Sequence, residues 1–151
     1  MNKYNKAISQ KYDYRSNIKK YDLEVANSMT TATNEQIAAC YNGCGAEWMP
    51  NWSRDVIDQF VTLYKDCVVV HDWDFSHSDG TKENFNLANK RMLKNMKKIR
   101  DYHFPWNNPK LYFTCFKWYL KARVLYRTLN KFGFKAWQEA YDKKAFDNIL
   151  D

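Results

Sequence analysis

Glycine and proline are scarce in this chain. Four glycines and three prolines in 151 residues are too few for a chain broken by many tight turns, and Leu, Met, Lys and Asn recur at helical spacing, so an all-α fold is expected. No apolar run reaches the roughly 20 residues that a membrane span needs. The opening stretch, MNKYNKAISQKYDYRSNIKK, has no apolar segment of signal-peptide length. The chain therefore reads as soluble and cytoplasmic. Cysteine is limited to Cys40, Cys44, Cys67 and Cys115. There is no CxxC pair and no matching His/Cys pair downstream, which argues against a structural zinc site and, in a reducing compartment, for thiols.

Acid is scarce where base is plentiful. The formal net charge is +7, and the stretch from Lys90 to Lys135 holds thirteen Lys or Arg against one acid, Asp101. Two readings stand side by side: a face for an anionic partner, either a phospholipid membrane surface or nucleic acid, and a set of solvated helix faces.

What is present is helical periodicity. With 45% apolar composition the chain is expected to form one domain, with a loosely packed N-terminal arm over residues 1–30 and a helical domain over 31–151. Thr33 followed by Gln36 forms a capping box for a short helix over Asn34 to Cys40. Tyr41 to Pro50 reads as a loop, opened by the glycines of YNGCG. Ser53 caps a long helix whose stripe is Val56, Phe60, Leu63, Cys67, Val70 and Asp74. Asp79-Gly80 marks a turn, and a second helix from Lys82 to Arg100 turns Phe85, Asn89, Met92, Leu93 and Met96 inward, antiparallel to the first. A third long helix carries the stripe Tyr112, Cys115, Tyr119, Ala122, Tyr126 and Leu129, with Gly133 as its stop. A short amphipathic helix, FKAWQEAYDKKAFDNIL, ends the chain.

The stretch CVVVHDWDF, residues 67 to 75, sets His71 and Asp72 side by side after an apolar run. Adjacent residues on a helix point about 100° apart, so one can face a metal and the other a substrate. A hard cation takes six to eight oxygens from carboxylate and loop carbonyls, while a neighbouring histidine takes a proton from water. The histidine then needs an acceptor for its second ring nitrogen, and Asn89 on the neighbouring helix is the residue in reach. Asp74 and His77 read as part of a solvated turn rather than as further ligands.

A loop with CG, a helix with CxxxHD and a following helix with an inward polar residue resemble the phospholipase A2 superfamily. The stretches GCGAEWMP, CVVVHDW, LANKRMLKNM and ARVLYRTLNKFGFKAW are similar, in order and spacing, to a group of small phage-type proteins related to it. The resemblance spans roughly residues 40 to 137. It implies a calcium-assisted lipid ester hydrolase, residence in a host cytoplasm or a virion, His71 as general base, and Asp72 as carboxylate ligand. It also implies calcium-facing carbonyls around Asn42, Cys44 and Ala46, an oxyanion donor in the Gly45 N–H, and a disulfide position at Cys44 and Cys67. Two positions depart from the pattern. Asn89 stands where the family has an aspartate, which removes the charge that supports an imidazolium. Glu47 replaces the second loop glycine, and either ligates the metal or leaves the site dead. Three functions follow: the hydrolase, a catalytically silent module binding a protein or anionic membrane, and a nucleic-acid binder. Trp48, Trp52 and Trp106 suit either a lipid interface or a cover over the core.

Overall fold

The computed structural model describes residues 13–41 and 51–150, with side chains over 13–41 and 62–143. The described chain is helical, without strands among the described residues: α1 (Tyr14–Lys20), α2 (Asn27–Thr30), α3 (Asn34–Cys40), α4 (Asn51–Ser76), α5 (Lys82–His103), a 3-10 turn (Pro109–Leu111), α6 (Tyr112–Phe132) and α7 (Phe134–Leu150). No helix among the described residues is long and apolar enough to cross a membrane. The three long helices α4, α5 and α6 form the frame, with α5 packed between the other two.

Local chemistry sets the ends of these helices. The Thr33 hydroxyl accepts the Gln36 N–H at 3.3 Å while the Gln36 side chain accepts the Thr33 N–H at 2.8 Å, closing the expected capping box of α3. The turn after α4 is held by Asp79, whose carboxylate accepts the Thr81 N–H at 3.0 Å and the Thr81 hydroxyl at 2.8 Å, and by Gly80 at φ +74°. That backbone state is strained for any residue with a Cβ. Gly133 ends α6 for a different reason. Its φ is an ordinary −80°, but an added Cβ would lie 2.7 Å from the Leu129 carbonyl oxygen and 3.3 Å from the Phe85 ring.

α4 and α5 run antiparallel: His71 meets Asn89, and four residues on, Phe75 meets Phe85 four residues back, with ring centroids 6.4 Å apart. The inward stripe of α5 is Phe85, Ala88, Asn89, Met92, Asn95, Met96 and Ile99, all buried. Leu93, expected inward, is half-buried at its edge. The main core joins Val68, Val69 and Val70 of α4 to Met92, Met96 and Ile99 of α5 and to Ala122 and Leu125 of α6. A smaller aromatic cluster forms at the turn end, where Phe85 and Trp137 pack with Phe75 and Phe134.

Three expectations are corrected. Residues 13–30 do not form a loosely packed arm: Tyr14, Leu23 and Met29 are buried in the main core. The segment is fixed by Asn95, whose side-chain oxygen accepts the Glu24 N–H and whose amide donates to the Glu24 carbonyl, both at 2.8 Å. α4 is not one regular helix, because Tyr64 leaves helical geometry (φ −102°, ψ 17°). At this kink the buried Tyr64 hydroxyl donates to the Trp118 carbonyl at 3.0 Å. Finally, Tyr112 and Tyr119 are exposed rather than part of the α6 stripe. The inward face is rotated to Cys115, Trp118, Ala122, Leu125 and Leu129, because Trp118 fills the space against Tyr64, edge-on at 5.5 Å.

Candidate active site

His71 lies on α4 after three buried valines, and helical periodicity turns its ring toward α5. The residue is 6% exposed, and its Nε2 is 2.8 Å from Asn89 Oδ1. Asn89, with no exposed surface, spends its amide N–H on Asn130 Oδ1 of α6 at 2.9 Å. With its amide on Asn130, Asn89 turns its oxygen to His71, and since an amide oxygen only accepts, this arrangement sets the imidazole proton on Nε2 and the lone pair on Nδ1. The result is a neutral chain, His71 to Asn89 to Asn130, crossing three helices.

Every group in that chain is uncharged, and this governs its basicity. Burial lowers the His71 pKa to about 4, and the Asn89 hydrogen bond offsets only part of that. A charged imidazolium here would lose its hydration and gain no anion in exchange. Phe75 adds an aromatic wall, its ring centroid 4.8 Å from the imidazole.

Asp72 is half-buried on the turn beside His71. Asn42, Cys44, Gly45, Ala46 and Glu47 lie outside the described residues, as does Trp48. Cys67 is buried in the core. Among the described residues no group of three or more His, Cys, Asp or Glu side chains is placed to hold a metal ion. Asp72 belongs to no such group, and the loop positions that the resemblance sets beside it lie outside the described residues.

Asp74 departs from the expected solvated turn. It is buried and receives Arg91 of α5, whose Nη1 donates to Oδ1 at 2.5 Å and to Oδ2 at 2.6 Å. Burial raises its pKa, and the guanidinium offsets only part of that rise. His77 is exposed, stacked on Trp73 at 4.2 Å. Neither residue joins His71. Sequence reasoning missed Asn130 and the Asp74–Arg91 pair. Asp74 did sit on the apolar stripe of α4, and a carboxylate on such a stripe calls for a cation one helix away.

A cavity of about 600 Å³ opens among α1, α2 and α3, lined in part by Asp13, Arg15, Ile18, Val25, Met29 and Asn34. His71 and Asn89 are not in its lining.

No protein-family model, curated protein or solved structure matches this chain.

Proposed function

We propose that this chain is a phospholipase A2-like ester hydrolase of low intrinsic rate, with His71 as its base. The observation that carries the reading is the 2.8 Å bond from His71 Nε2 to Asn89. It leaves Nδ1 as an oriented lone pair, the state a general base needs. Nδ1 takes a proton from water as the water oxygen attacks the ester carbonyl of a phospholipid. The same proton then passes to the alcohol as the carbon–oxygen bond breaks. Calcium, held by Asp72 with carbonyls of Asn42, Cys44 and Ala46, would polarise the ester carbonyl, and the Gly45 N–H would donate to the developing oxyanion. The rate is low because neutral Asn89 supplies no charge for the imidazolium that forms, and because burial has already weakened the base.

The test is calcium-dependent release of fatty acid from mixed phospholipid vesicles. His71→Gln should abolish it with calcium binding intact, whereas Asp72→Asn should abolish both. Asn89→Asp should raise the rate, by about tenfold or more, and move the acid limb of the pH profile upward from near pH 4, since an anionic partner stabilises imidazolium. No release from either wild type or Asn89→Asp would overturn the hydrolase.

A second reading is favoured by one feature. The His71 ring is almost fully covered and tied into an uncharged chain that also fastens α6, as suits a buried structural strut in a catalytically silent binding module. In that case His71→Gln would change stability and leave no activity to lose.

A further inference from the structure

Helix α6 presents a face the fold does not use. Phe113, Phe116, Leu120 and Val124 recur at steps of three and four, so they form one ridge along the first three turns, opposite the buried Cys115, Ala122 and Leu125. All four are exposed, Phe113 by 81% and Val124 by 57%. The same ridge continues into exposed Arg127 and Lys131 and is edged by exposed Lys117. The helix holds five Lys or Arg and no acid over its 21 residues.

Those cations differ from four of the seven on α5. Arg91, Lys94, Lys98 and Arg100 are matched by Asp74, Glu24, Asp22 and Asp101. No ion pair among the described residues engages Lys117, Arg123, Arg127 or Lys131. An apolar ridge with cations along its side and end is the pattern that lies in the headgroup layer of an anionic membrane, with the rings at the acyl boundary and the ammonium and guanidinium groups on phosphates. Exposed aromatics continue past its N-terminal end, where Trp106 and Tyr112 stand 6.0 Å apart, a placement suited to the interfacial zone.

We infer that the outward face of α6 docks the protein on anionic lipid bilayers through Phe113, Phe116, Leu120 and Val124, with Lys117, Arg127 and Lys131 on the lipid phosphates. Charge decides against a second copy of this chain, since a twofold pairing of α6 on α6 would set five cations against five. Aliphatic Leu120 and Val124 at the middle of the ridge decide against nucleic acid, where stacking calls for flat rings along the strand. The surface does not depend on hydrolysis at His71, and a silent protein would dock equally well.

The experiment is sedimentation of the full chain with phosphatidylglycerol/phosphatidylcholine vesicles and with pure phosphatidylcholine vesicles, in EDTA so that no calcium-dependent step contributes. Binding to the mixed vesicles is expected to exceed binding to the neutral ones by about tenfold or more and to weaken as salt rises. Phe113→Ser with Leu120→Ser should lower it by about tenfold or more. Lys117→Gln with Arg127→Gln and Lys131→Gln should remove the preference for anionic lipid. Circular dichroism on each variant separates a lost surface from a lost fold. The proposal is overturned by absence of vesicle binding, by binding that the Phe113/Leu120 pair leaves unchanged, or by a dimer or duplex-DNA complex forming through these residues in its place.

Discussion

Helices α5 and α6 are of nearly equal length, 22 and 21 residues, and both are rich in Lys and Arg, yet the fold treats them in opposite ways. On α5 each inward polar group is answered from within the protein. Asn89 binds His71 and Asn130, Asn95 binds both backbone groups of Glu24, and four cations meet carboxylates. On α6 the apolar residues divide between a buried face and an exposed one, and no ion pair among the described residues engages four of its cations. The contrast teaches that charge in the sequence does not by itself mark a binding surface. Cations meet carboxylates at four places on one helix and leave an open face on the next, and for Arg91, Lys94 and Lys98 the difference is that acids from other elements lie across from them.

Removing an internally answered group on α5 should give the largest effect. Asn95→Ala leaves the Glu24 N–H and carbonyl without the partners they have at 2.8 Å and opens a void at a site with no exposed surface. A loss of about 2–4 kcal/mol is expected by chemical denaturation. A loss under about 1 kcal/mol would mean that residues 22–26 rehydrate without cost, and that α5 is not the closed interior element the comparison makes it.

A smaller effect, dependent on pH, should come from His71. Its pKa is about 4 in the folded chain against 6.5 for an unperturbed histidine, so the unfolded state binds the proton first as pH falls. Stability contributed by the neutral ring is complete above pH 6.5 and declines toward pH 4, by up to about 3 kcal/mol. His71→Gln keeps an amide donor toward Asn89 and does not titrate. Its stability should vary less than wild type over that window, as read from denaturant midpoints at each pH. Asp74, raised by burial, works in the opposite direction at the acid end. Both proteins carry it, so the difference between them isolates His71. Parallel curves would show that His71 is not shielded as the Asn89 chain implies.

The parts of the molecule legible in the sequence are those set by local chemistry. The Thr33–Gln36 capping box, the Asp79-Gly80 turn, the antiparallel α4 and α5, and the inward Asn89 follow from spacing between near neighbours or across one short turn, and each is present. What escaped depends on contacts distant in sequence. Residues 13–30 looked polar and aperiodic because their anchor, Asn95, is 71 positions from Glu24. The α6 face is not legible from spacing, since aromatic side chains at steps of three and four fit two stripes equally well and only the Tyr64–Trp118 contact chooses between them. Of the candidate site, the pairing of His71 with Asn89 is legible beforehand. Asn130 is not, because nothing near it in the sequence says that its amide will meet a buried asparagine on another helix.

The smallest expected effect on stability is also the sharpest test of the comparison. Phe113→Ser removes a large ring that is 81% exposed, so the fold loses little buried area, and the change in unfolding free energy should lie within about 0.5 kcal/mol. A residue this large that the fold does not need is a candidate for a partner's use, because exposed apolar surface at a ridge of four such residues is kept at some cost in solubility. The thermal midpoint should therefore stay close to wild type while vesicle binding falls. A cost above about 1 kcal/mol would reverse the inference: Phe113 would then be packing against the protein, the outward face of α6 would belong to the core, and the difference between α5 and α6 would shrink to the placement of a few carboxylates.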